Sequence, residues 1–278
     1  MKRTITTLTL ALLGSLIGIG SHQPEANAQL APACPASGTE SSLGAYTSGC
    51  SGTPSYYGIR IFEMGLCTSD PLATGNFDPS SCTKTYENPT AGVTNLAGNA
   101  VVDLTGGTSL PRIANGSYSY PYIRLSNEFL LQGSYTVGGT TYHSTSPSNG
   151  YGGVWAKTTG SAETYTDVVR SFGQSCQTEL TASVPGGGLQ AVLIDNNTST
   201  VLSCSPGTAN GIVGRIALSS PIVIEEATQG LQVSFQVTNS GMTLFPLSAG
   251  ASTPTGISTP GAVASFGGGA FSAIFAVY

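Results

Sequence analysis

In the stretch Leu231–Thr238 every second residue is apolar. Leu231, Val233, Phe235 and Val237 fall on one side, and Gln232, Ser234, Gln236 and Thr238 on the other. A period of two places one set on a buried sheet face and leaves the other in water. Short runs of strand character recur along the chain, separated by Gly, Pro, Ser and Thr. They include Tyr56–Cys67, Ala100–Leu104, Tyr118–Leu125, Ile212–Leu218, Ile222–Ile224, Met242–Phe245 and Ala270–Tyr278. Gly138-Gly139 between GSYTV and TTYHS predicts a two-residue hairpin turn. A second hairpin is expected to join Leu189–Ile194 to Thr200–Ser203 across Asp195–Ser199. Pro121 cannot donate to a ladder, so Tyr118–Leu125 reads as an edge strand. The pattern predicts an all-β fold, an antiparallel β-sandwich of jelly-roll or Greek-key type with long loops.

Composition narrows the class further. Of 278 residues, 37 are Gly and 16 are Pro, while only 8% are charged. A coiled coil or helical bundle needs a charged, Ala/Leu/Glu/Lys-rich sequence, and nucleic-acid binding needs a basic surface. With 9 Lys and Arg against 14 Asp and Glu, the chain fits neither. The apolar share of 40% argues against disorder.

Residues 1–28 read as a secretory signal peptide: Lys2 and Arg3, an apolar run Leu8–Ile19, then Ala26-Asn27-Ala28 as a cleavage site. The run is shorter than the roughly 20 residues a spanning helix needs, so no transmembrane helix is expected after cleavage at Ala28. Residues 29–278 are then a single extracellular or cell-surface domain, with 29–99 as a cysteine-rich subregion. All six cysteines lie in this part: Cys34, Cys50, Cys67, Cys82, Cys176 and Cys204. An even count in an exported chain points to disulfides. Six cysteines allow 15 pairings, and the spacing favours the local set 34–50, 67–82 and 176–204.

The search for chemistry yields little. After Ala28 the sole histidine is His143, and no G-x-S-x-G surrounds any serine. Glu225-Glu226 would face opposite sides of a strand, which rules them out as a glycosidase pair. Asp70, Asp78 and Asp195-Asn196-Asn197 lack calcium-loop spacing and read as turn formers. The Asn115-Gly116-Ser117 sequon and the two that overlap at Asn196–Ser199 read as chance matches in a chain whose signal has a bacterial style. No enzyme activity, metal or cofactor is expected.

Aromatic residues offer a contact surface instead. Tyr118, Tyr120 and Tyr122 alternate in register, and Tyr151 lies near Trp155, so these five are candidates to stack on glycans. The end of the chain offers another. Phe271, Ile274, Phe275, Val277 and Tyr278 make an apolar final strand suited to pairing with a neighbouring molecule. Its last four residues loosely resemble the C-terminal strand of bacterial fimbrial subunits. They also loosely resemble outer-membrane barrels that finish on an aromatic residue. The likeness covers fewer than ten residues, its spacing of large side chains departs from both patterns, and neither family is assigned. The leading expectation is an exported structural or adhesive protein, an appendage or matrix subunit that associates with itself or with other cell-surface components. A secreted carbohydrate-binding module, an outer-membrane β-barrel and a secreted hydrolase follow in that order.

Overall fold

A computed structural model describes residues 31–36, 38–98, 109–146, 153–172, 176–184, 186–196, 199–205 and 207–278. The signal segment, the expected strand Ala100–Leu104 and Tyr151 lie outside the described residues. Among those described, the chain forms one single-turn α-helix, α1 (Glu40–Leu43), one 3-10 turn at Pro79–Ser81 and twenty strands. In chain order these are β1 (Cys50–Gly52), β2 (Tyr56–Ile59), β3 (Ile61–Cys67), β4 (Cys82–Glu87), β5 (Thr94–Asn95), β6 (Gly116–Tyr118) and β7 (Tyr120–Ser126). Then come β8 (Glu128–Gln132), β9 (Ser134–Val137), β10 (Thr140–Ser144), β11 (Val154–Lys157), β12 (Tyr165–Val168), β13 (Glu179–Val184) and β14 (Gly187–Ile194). The last six are β15 (Gly211–Leu218), β16 (Ile222–Ile224), β17 (Leu231–Gln236), β18 (Met242–Pro246), β19 (Val263–Gly268) and β20 (Ser272–Val277).

The pairing between these strands is antiparallel. A first sheet runs β1-β18-β19-β11-β10-β9, a second β12-β8-β2-β5, and a third β13-β14-β15-β7-β3-β4. Two ribbons, β16–β6 and β17–β20, complete the sandwich-like body. One apolar core threads all three sheets, with Tyr57, Ile61, Leu125, Leu131, Val154, Leu193 and Phe266 in a single contact cluster. The other face of the third sheet is covered too. Leu72 packs there on Val192, Ile194 and Val213, and Arg215 grips Asp70 through two hydrogen bonds of 2.9 and 2.8 Å.

Three corners turn the chain directly from one sheet to the next, so that consecutive strands of the chain enter different sheets around one core. Tyr56–Cys67 is therefore not one strand: it breaks at Arg60 into β2 of the second sheet and β3 of the third. The carbonyl of Arg60 accepts from Ser126 N at 3.0 Å, and its guanidinium pairs with Glu128 at 3.0 Å. Asn127 makes the matching corner between β7 and β8. Gly133 makes the third, between β8 and β9.

The Gly138-Gly139 hairpin forms as expected. Both residues have positive φ (59° and 80°), and Val137 stands opposite Thr140. The second expected hairpin is reduced to a single bridge, Ile194 to Thr200, because β14 pairs along its length with β13 and β15. Pro121 also departs from expectation. It lies inside the third sheet opposite Leu66, in a strand flanked by β3 and β15. The β15 ladder stops at Tyr122, so no partner there requires the donor that proline lacks.

All three disulfides are the local ones: Cys34–Cys50, Cys67–Cys82 and Cys176–Cys204. Cys67 and Cys82 stand directly opposite each other in the β3–β4 ladder. Among the described residues there is no free cysteine and no helix long and apolar enough to cross a membrane.

Candidate functional site

The final strand is paired within its own chain. Leu231 stands opposite Val277 and Gln236 opposite Ser272, so β17 and β20 form a ribbon six residues long. Tyr278 and Gly230 exchange two backbone bonds, Tyr278 N to Gly230 O and Gly230 N to Tyr278 O, both at 3.2 Å. Alternation from that pair aims the backbone groups of Ala273, Phe275 and Val277 away from β17, at the edge of β20 that joins no ladder. The side chains divide as well. Phe271 stacks edge-to-face on Tyr57 and Phe235, anchoring the ribbon in the core. Phe275 is half-buried, while Ile274 is 46% exposed, Val277 43% and Tyr278 69%. Val223 of β16, 49% exposed, shares with Ile274 and Val277 the groove that flanks this edge.

The ribbon also differs in charge from the other sheet edges. Neither β17 nor β20 carries a charged residue. Edges elsewhere are charged, as in β4 (Lys84, Glu87), β12 (Asp167) and β13 (Glu179), or hold four residues or fewer, as in β1, β5, β6, β9 and β16. Shortness and charge are the usual protections against edge-to-edge pairing. The ribbon has neither.

The tyrosine stripe does not make a surface. Tyr118 sits in β6 with Leu66 and Ile224, 4% exposed. Tyr122 is 2% exposed and donates to Glu63 Oε1 at 2.5 Å. Tyr120 is half-buried, with the Arg215 guanidinium 5.9 Å from its ring centre. The stripe fails because the chain steps from the β16–β6 ribbon to the third sheet between Tyr118 and Tyr120, and both faces there are covered. Trp155 behaves differently. It stands opposite Ser265, and Ser265 opposite Phe245, so the three form one row across β11, β19 and β18. Their neighbours Val154, Ala156, Leu244 and Phe266 are buried, which aims the row outward; Trp155 is 37% exposed and Phe245 39%. Phe245 is absent from the sequence-level candidates because its partner in the row lies ninety residues earlier.

Titratable groups take structural roles. Glu63, 5% exposed, accepts from Tyr122 and pairs with Lys84 at 3.1 Å and Arg124 at 3.6 Å. Burial pushes the Tyr122 hydroxyl well above its ordinary range, and the Glu63 hydrogen bond adds to the effect. Burial likewise raises the Asp167 carboxyl, against weaker opposing help from the Gly268 and Gly153 N–H groups. His143 Nδ1 meets Ser134 Oγ at 2.7 Å across the β9–β10 hairpin, with no bond orienting Nε2 among the described residues. Asp78 caps Ser80 N at 2.9 Å, and Asp195 accepts from Ser199 N at 2.9 Å. Both are turn roles. No group of three His, Cys, Asp or Glu side chains could hold a metal among the described residues.

Three disulfides on an all-β framework define an extracellular, secreted type of protein. No known protein family, curated protein or solved structure matches the chain.

Proposed function

We propose that this protein works by contact, as a structural or adhesive subunit outside the cell that associates with further copies of itself through the C-terminal ribbon. The observation that supports this is the uncharged edge of β20, which joins no ladder beyond β17 and where Ile274, Val277, Tyr278 and, across the groove from it, Val223 stay exposed. Strand addition there would use the backbone groups of Ala273, Phe275 and Val277 for affinity and the flanking apolar side chains for fit. The strands that would meet add no charge of their own, since neither β17 nor β20 carries one. Arg60, Lys84, Arg124, Lys157 and Arg215 are already held in ion pairs within the chain.

Sedimentation velocity of the oxidised protein, with electron microscopy of the extracellular fraction, tests this. Removing Phe271–Tyr278 would also strip the core contact of Phe271, so a point change is cleaner. Ile274→Lys adds charge on the outward face alone. The expected result is concentration-dependent assembly of the parent and a monomeric variant of unchanged melting temperature. Equal assembly of both, or a parent that stays monomeric throughout, would overturn the reading.

A glycan-binding reading is favoured by a different observation, the outward Trp155–Ser265–Phe245 row. Two aromatic faces two strands apart, about 9.6 Å by strand spacing, flank a hydroxyl residue in the manner of a platform for extended sugars. Retention on polysaccharide columns that is lost on Trp155→Ala supports it; retention unchanged by Trp155→Ala and Phe245→Ala counts against it.

A further inference from the structure

Beneath the C-terminal ribbon lies a cavity of about 320 Å³. Its floor is the inner face of the third sheet, centred on the row Ala191–Gly214–Ile123, which the register sets side by side. Ile212 and Ile216 extend the floor along β15, and Phe235, Ala273 and Phe275 of the ribbon make the roof. No Asp, Glu, Lys, Arg or His lines it. Four of the five hydroxyls in its wall are already engaged, and the fifth, Ser272, alternates to the opposite face of β20 from Ala273 and Phe275. Tyr57 donates to Gly269 O at 2.8 Å, Tyr122 to Glu63, Ser171 to Gln177 O at 3.2 Å and Thr243 to Gly268 O at 3.2 Å. An occupant would therefore meet dispersion and apolar burial and nothing that selects a polar group.

We infer that this cavity binds a single hydrocarbon chain. Size sets its length. An apolar cavity of about 150 Å³ takes one benzene, so twice that volume holds on the order of a dozen carbons. Shape agrees: Ile212 to Ile216 spans roughly 13–14 Å of strand, longer than a compact ring and suited to an extended chain. The cavity also has an apolar approach. Ile216, Ala273 and Phe275 line both it and the outer groove beside β16, where Val223, Ile274 and Val277 are exposed. A polar head would stay in that groove, in water, while the chain lies under the ribbon. The chain itself would lie against the inner face of the ribbon, while self-association uses its outer edge; only the approach groove is common to the two.

Titration calorimetry with a homologous series from hexanol to dodecanol tests it, with farnesol as the branched counterpart. Each methylene added should tighten binding about fourfold, levelling off near twelve carbons, with a negative heat-capacity change. Stronger binding of dodecanol identifies an acyl-type chain, and stronger binding of farnesol an isoprenoid. Gly214 offers the blocking variant. A Cβ there meets nothing closer than Ile123 Cγ2 at 3.6 Å, so Gly214→Leu fills the floor without a backbone clash. That variant should lose at least tenfold in dodecanol affinity, and Ala191→Leu should do the same from the neighbouring strand. Leu202→Ser, at an exposed residue that lines neither the cavity nor the groove, should bind as the parent does. Absence of binding overturns the inference. So does an affinity that climbs with chain length without levelling, or one that both filling variants retain, since either marks adsorption to the exposed patch.

Discussion

Asn127 shows how one side chain can hold a corner. It is 4% exposed, its Nδ2 donates to Val169 O at 3.0 Å and Ala209 O at 3.1 Å, and its own carbonyl accepts from Val169 N at 2.8 Å. It thus ties the β7–β8 turn to the segment after β12 and to the approach to β15. Asn127→Ala leaves two acceptors without that donor and should lower the unfolding free energy by about 2–3 kcal/mol. Asn127→Asp should cost more, because it sets a carboxylate against two carbonyl oxygens; urea denaturation of the pair checks the order. The buried tyrosines govern behaviour in alkali. Burial raises the hydroxyls of Tyr57, Tyr122 and Tyr165 above the ordinary 10.0. A raised value means the folded state holds the proton more tightly. Stability from these groups is therefore complete below pH 10 and falls as pH climbs above it, each tyrosine contributing up to about 1.4 kcal/mol per pH unit. Melting temperature should drop steeply above pH 10, and part of the tyrosinate absorbance should appear only with unfolding; ionisation of all twelve tyrosines in still-folded protein would contradict the burial argument.

At the level of elements, packing overrides pattern most visibly at the corners. Gly133 lies between β8 and β9, where a Cβ would sit 2.2 Å from Met242 Sδ, and Met242 is fully buried. Gly133→Ala should destabilise the protein by about 1–3 kcal/mol, and the loss should shrink in a Met242→Ala background; a double-mutant cycle that gives simple additivity would deny the contact. Strands with a strong period were legible in the sequence. The strand read over Leu231–Thr238 forms over Leu231–Gln236, with Phe235 buried and Gln232 and Gln236 exposed, and the two glycines at 138 and 139 turn as their freedom at positive φ demands. Short strands such as Val154–Lys157, Tyr165–Val168 and Glu179–Val184 carry four to six residues of mixed polarity, too few for a period to stand out. Corners were illegible for a related reason: Ile59-Arg60-Ile61 keeps its alternation while the chain changes sheets. The candidate site divides in the same way. The apolar end of the chain was visible as composition, whereas the Trp155–Ser265–Phe245 row and the cavity floor exist only once distant strands are in register.

For the whole molecule, the disulfides set the terms. They close spans of 16, 15 and 28 residues, worth roughly 3, 3 and 3.5 kcal/mol in the chain-entropy model. Their sum of about 10 kcal/mol is comparable to the net stability of a typical domain, about 5–15 kcal/mol. Full reduction should therefore unfold most of the protein at 37 °C. The three bonds are not equally accessible. Cys50 and Cys67 are fully buried, and Cys67–Cys82 lies inside a ladder, so reaching it requires β4 to peel away from β3. Cys176 is exposed, and its bond to Cys204 joins two segments outside the named strands. Thiol attack depends on access to a sulfur, so a mild reductant should open Cys176–Cys204 first, leave the sheets intact and lower the melting temperature by only a few degrees. Timed alkylation read by peptide mass spectrometry checks this. Labels should appear at Cys176 and Cys204 well before the other four, and labelling of all six at one rate would mean that the framework opens as a unit, with the first bond no looser than those in the core.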